Sequence, residues 1–178
     1  MNFIKLLIVY TALLFLPFSM QAAEIEGGSI AVIDAQSAIF GTESSKQAFE
    51  ELTASKEWKE VEEDLQLKIN EATEIQEKLQ KESPTMSDDE KIDAQKRLNS
   101  LSQDAQFLNQ KLSTMQNEVA ELVQREQAPE FQKVVSELMR AKGIKILLHS
   151  NAVLGFDRGD PTLNLTPEIT ELLNQKEE

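Results

Sequence analysis

The sequence predicts an α+β chain that is mostly helical. A small β-body is built from both chain ends and shared in an oligomer, and a long antiparallel coiled-coil hairpin forms an arm. Three observations predict it. Residues 94–122 place an apolar side chain at every third or fourth position: Ala94, Leu98, Leu101, Ala105, Leu108, Leu112, Met115, Val119 and Leu122. The mean step is about 3.5 residues, and a sustained repeat of that length keeps one seam against a partner helix by left-handed supercoiling. An earlier stretch repeats the pattern: Trp58, Val61, Leu65, Ile69, Ala72, Ile75 and Leu79. Its one irregularity is Ile69, where strict spacing would use Lys68. Finally, short apolar runs rich in β-branched residues lie outside both seams, at residues 29–33 and 144–148.

Residues 1–23 read as a Sec-type signal peptide. Lys5 supplies a positive n-region, residues 6–18 are apolar apart from Tyr10 and Thr11, and small residues follow at Ala22 and Ala23. The apolar run is shorter than the roughly 20 residues a transmembrane helix needs. Cleavage is expected near Ala22 or Ala23, with export to the periplasm.

The run at residues 29–33 reads as a buried strand. Asp34 is placed to N-cap a helical turn over residues 35–40; a catalytic carboxylate there would need a partner acid or base, and none lies near it in sequence. Gly41-Thr42 ends that turn. Ser44, with Gln47 three residues on, resembles a capping box, so the first long helix is expected to start there. About 39 residues of helix would make an arm of roughly 60 Å. Ser83-Pro84-Thr85 is a turn, because proline cannot continue a helix. Ser87 and Glu90 form a second capping box that opens the returning helix. Pro129 should kink that helix where the heptad fails. Phe131, Val134, Val135, Leu138 and Met139 then give a wider apolar face suited to a sheet. Arg140-Ala141-Lys142-Gly143 is a helix end. A second strand is expected at residues 144–148 and a short third one at 151–156. Arg158-Gly159-Asp160-Pro161 is read as a turn rather than as an adhesion tripeptide. Thr166-Pro167 opens a last helix, to about Gln175.

The expected organisation is a signal peptide (1–23), a β-rich oligomerisation body (24–43 and 143–178) and a helical hairpin (44–142) whose tip lies near residues 82–88. The two body segments total too few residues to bury a self-sufficient core, so oligomerisation is expected.

Composition narrows the function. The chain of 178 residues carries 31 Asp+Glu against 18 Lys+Arg, a net charge of −13. That balance argues against binding a nucleic-acid backbone and against strong binding to an anionic membrane. With no cysteine, cysteine-based zinc sites and disulfides are excluded. The single histidine, His149, follows an apolar strand and reads as a strand-end residue. No Gly-x-Ser-x-Gly turn accompanies it, and no Gly-rich phosphate loop occurs. The acidic run at residues 60–64 lies on a helix that splays its carboxylates apart, without the glycine of a calcium loop. The sequence therefore predicts no catalytic residue, no metal site and no cofactor.

Ile30-Ala31-Val32-Ile33-Asp34 behind a signal peptide, the helical hairpin, and the closing stretch together resemble the Skp/OmpH-like periplasmic chaperones. The closing stretch comprises Gly143, the strand after it, Asn151-Ala152-Val153-Leu154, Leu165-Thr166 and an apolar last helix. Where the family carries an acid before its Thr, this chain has Asn164. The resemblance implies a homotrimer whose strands form a small body, with three hairpins hanging from it around a cavity. It implies ATP-independent holding of unfolded outer-membrane β-barrel proteins. Apolar residues off the seams are the expected client contacts: Leu67, Met86, Ile92, Phe107 and Val123. A structural coiled-coil spacer or adaptor of the envelope is the alternative reading.

Overall fold

The structure, a computed structural model, describes residues 30–177; the signal-peptide expectation lies outside them. Strand β1 (Ile30–Ile33) is followed by helices α1 (Ala35–Phe40), α2 (Glu43–Ala54), α3 (Lys56–Glu82) and α4 (Asp88–Lys142). Strand β2 (Ile146–His149) and helix α5 (Thr166–Glu177) close the chain.

β1 and β2 pair in parallel, with Ile30 opposite Ile146 and Ile33 opposite His149. The connection between them therefore contains the entire arm. The expected strand at 151–156 is absent. A single 3₁₀ turn stands at Ser150–Ala152, begun by His149, whose Nδ1 accepts from Asn151 N at 3.2 Å. The other side of β1 is instead bonded by a later segment. Val32 N donates to Leu163 O (2.7 Å), and Leu165 N donates to Val32 O (3.0 Å).

Ala31 and Ile33 of β1, Ala38 of α1, Val134 and Leu138 of α4, Ile144, and Leu165, Ile169 and Leu173 form one buried cluster. Phe131, Val135 and Met139 pack against it, so the wide apolar face expected after the heptad is covered as anticipated. Long-range polar contacts tie α5 to the start of the chain. Asp34 N donates to Thr166 Oγ1 (2.9 Å), Thr170 Oγ1 to Ala38 O (3.1 Å) and Glu43 N to Asn174 Oδ1 (2.9 Å). Gly41 sits where a Cβ would lie 2.8 Å from Ser37 O and 3.3 Å from Thr170 Cγ2. The carbonyl of the last turn of α1 leaves room only for glycine here, and Thr170 of α5 closes the other side.

Asp34 caps α1 as expected, accepting from Ser37 N at 3.0 Å. That backbone hydrogen bond is the main reason its carboxyl titrates below the ordinary aspartate value. The cap of α2 is Thr42 rather than Ser44, with Thr42 Oγ1 accepting from Ser45 N. The first long helix is also not continuous. It stops at Ala54, and Ser55 takes an extended conformation and caps a new helix by accepting from Trp58 N at 3.2 Å. By contrast, α4 runs unbroken through Pro129 for 55 residues, about 80 Å at 1.5 Å per residue. Proline removes one helical N–H there, but the helix continues, with Val123 and Val134 buried on either side of it. α4 ends on Gly143 at φ 65°, with Gly143 N donating to Arg140 O and Ile144 N to Met139 O.

Candidate client-holding arm

α3 and α4 form the hairpin. Two interhelix ion pairs mark its register: Glu71 with Arg97 at 2.6 Å and Glu57 with Lys111 at 2.9 Å. Each pair is symmetric about Pro84, so the helices return without stagger. At the tip, Thr85 N and Met86 N both donate to Glu82 O (2.8 and 3.1 Å). The capping box is complete: Glu90 N donates to Ser87 Oγ (3.3 Å) and Ser87 N to Glu90 Oε2 (2.8 Å). That donation from the Ser87 backbone, more than any other cause, holds the Glu90 carboxyl below its usual pKa.

The seam of α3 keeps strict heptad spacing. Trp58 and Val61 are buried, and Leu65, Lys68, Ala72, Ile75 and Leu79 are half-buried. Lys68 takes the seam position, while Ile69 faces outward and is 43% exposed. A lysine can line a narrow seam with its stem and keep its ammonium in water. Ile69, which the apolar pattern puts in the seam, is therefore displaced from it by the strict spacing.

The expected contact residues fall into two groups. Phe107 is 67% exposed, Leu67 58% and Ile92 52%, and Met86 is half-buried at the tip. Val123 is a correction, for it is only 5% exposed, while Leu122 stands out at 40%. The partner of α4 changes from α3 to α2 across the Ser55 break, and its inward face rotates with it. One turn beyond Val123, Gln127 Nε2 reaches Thr42 Oγ1 (2.8 Å), Ser44 Oγ (2.8 Å) and Ser45 Oγ (3.0 Å) on α2. Its Oε1 is buried without a hydrogen-bond partner. The heptad written through Leu122 assumed one straight partner, so it could not register the change.

The break also shapes the surface. Between the end of α2 and α4 lies a groove of about 760 Å³, lined by Leu52, Phe107, Met115, Val119 and Leu122 among others. Among the described residues, no cluster of His, Cys, Asp or Glu could hold a metal ion. Likewise, no described helix is long and apolar enough to cross a membrane.

The elements define a class: an α+β chain in which a small parallel sheet carries a long antiparallel helical hairpin. The sequence model of the OmpH-like outer membrane protein family matches residues 29–173. The chain belongs to that family. Among solved structures, it is similar to a candidate outer membrane chaperone (OmpH-like) from Caulobacter crescentus. The two share 15% sequence identity over 83% of this chain and 85% of the other, with a TM-score of 0.45. The comparison with curated proteins finds no match.

Proposed function

We propose that this protein is a periplasmic holdase chaperone that binds unfolded outer-membrane β-barrel proteins without nucleotide and prevents their aggregation. The observation that carries the proposal is the set of large apolar side chains left exposed on the arm, chiefly Leu67, Ile92 and Phe107. They are dispersed along both helices, so a client would be held weakly at many points at once. Membership of the OmpH-like family supports the same reading. Secretion through a cleaved signal at residues 1–23 belongs to this proposal.

Assembly as a homotrimer through the body belongs to it too. A parallel sheet is ordinarily covered on both faces. Here β2 leaves Ile146 and Leu148 exposed, with Leu154 fully exposed nearby. That apolar surface is where further copies would pair. With a net charge of −13, no affinity for nucleic acid and no strong attachment to anionic lipid are expected.

Light scattering tests the reading. An unfolded outer-membrane β-barrel protein is diluted from urea into buffer with the purified protein and no nucleotide. Suppression of aggregation at near-stoichiometric amounts is the expected result. Failure to suppress it, together with tight binding of one folded envelope protein, would replace the chaperone with the adaptor.

A further inference from the structure

The groove at the Ser55 break has an electrostatic setting of its own. Residues 43–64 and 104–126, which flank it, carry twelve acidic against five basic residues, a net charge of −7 in a chain total of −13. The tip is close to balanced by comparison. Three of the five cations around the groove are engaged locally, Lys46 with Glu43 (2.6 Å), Lys56 with Glu60 (3.4 Å) and Lys111 with Glu57 (2.9 Å), which leaves Lys59 and Arg125 to offset the remaining carboxylates. Glu118, which lines the groove, and Glu121, one residue from Leu122, have no cation paired with them among the described residues. An apolar floor therefore lies under a rim of net negative charge, with Glu118 as its unpaired lining carboxylate.

The geometry points to this groove as a docking site for a cationic apolar segment of unfolded polypeptide. Such a segment has one or two bulky side chains flanked by Lys or Arg. This inference rests on the chaperone reading and adds to it the class of segment that is held and the place. The volume falls in the range of about 300–1,000 Å³ typical of sites that bury a compact ligand. Phe107 and Leu122 supply exposed apolar surface, and the rim supplies selection by charge. A second copy of this chain would bring its own acidic flanks and be repelled. An anionic lipid surface would be repelled for the same reason.

The test uses the purified protein and two short unstructured peptides. Both have a central Phe-Leu pair; one is flanked by lysines and the other by glutamates. Trp58, the single tryptophan, lies one turn beyond Ser55 and reports binding by fluorescence, with calorimetry as a second readout. The lysine peptide should bind more tightly by about tenfold or more at low salt. Added salt should close that gap, as screening beyond about 8 Å sets in near physiological strength. Phe107→Ser should weaken the lysine peptide by about tenfold, the loss expected for one buried aromatic contact. Since Phe107 is exposed, this variant should keep its circular dichroism and oligomeric state.

Equal binding of the two peptides would overturn the proposal, as would binding indifferent to Phe107→Ser. Dissociation of the oligomer by Phe107→Ser would overturn it too, by showing that another copy covers the groove. Aggregation suppression is measured on the same samples. If suppression persists and no peptide binds, the groove proposal fails and the chaperone reading stands. If the lysine peptide binds in the expected manner but suppression is absent, the groove stands and the chaperone reading fails.

Discussion

The body and the arm are built on different physics. In the body, β1, α1, α5 and the end of α4 converge on one cluster in which Ala31, Leu165 and Ile169 are wholly inaccessible. Hydrogen bonds such as Asp34 N to Thr166 Oγ1 join residues far apart in sequence. In the arm, each helix has a single neighbouring helix. Leu101, Trp58 and Val61 are buried, while most other seam residues stay half in water. The arm's remaining supports are local caps and surface ion pairs, each worth little. Disrupting the body therefore breaks a cooperative unit, whereas opening the arm breaks few contacts. An arm so built can splay while its root stays fixed, which is what the proposed holding of a client requires.

The largest effect should follow a cavity in the body. Ile169→Ala should cost about 2–5 kcal/mol and lower the thermal unfolding midpoint of the whole protein, measured by circular dichroism. If it melts no earlier than wild type, α5 is not part of the cooperative core. Next is Gly41→Ala. The new methyl would collide with Ser37 O and Thr170, and such overpacking typically costs about 1–3 kcal/mol. The same melting experiment reads it, and a neutral result would show that the last turn of α1 can shift away from the new methyl.

Smaller effects belong to the arm. Ser87→Ala removes the tip cap, a change worth about 1 kcal/mol. It should increase amide exchange near residues 87–92 and leave the body unchanged. The same cap has a pH signature. The folded-state pKa of Glu90 lies below its ordinary value of 4.5. Its stabilisation of the tip is therefore present above that value and lost as pH falls through the lower, folded one. Nuclear magnetic resonance titration should show the tip amides around Ser87 loosening on acidification, and Glu90→Gln should remove most of that response. A tip unaffected by acid in the wild type would contradict the capping account.

Much of this contrast can be read from residue types and spacing. The two 3.5-residue repeats and Ser83-Pro84-Thr85 specify a helix returning on itself, because only a facing seam can bury stripes so narrow. Gly143 marks the end of α4 because its φ of 65° suits glycine. What escaped detection depended on partners distant in sequence. Ser55 interrupts the first helix without Gly or Pro, so local propensity gives no warning. Val123 turns inward because α2 replaces α3 beside it. The Leu163–Leu165 pairing with Val32 involves too few residues to leave an alternating pattern. Phe107 and Leu67, in contrast, were visible as apolar residues off the seams, since the heptad alone decides which side they face.

Hydrogen exchange of the purified protein, with and without an unfolded β-barrel client, tests the division of labour most directly. In the free protein the slowest amides should lie in β1, α5 and residues 131–142, with faster exchange along residues 60–120. Adding client should slow exchange on the arm, around Leu67, Ile92 and Phe107, and leave the body core as it was. Uniform protection across the free protein, or client protection confined to β1, β2 and α5, would contradict the account.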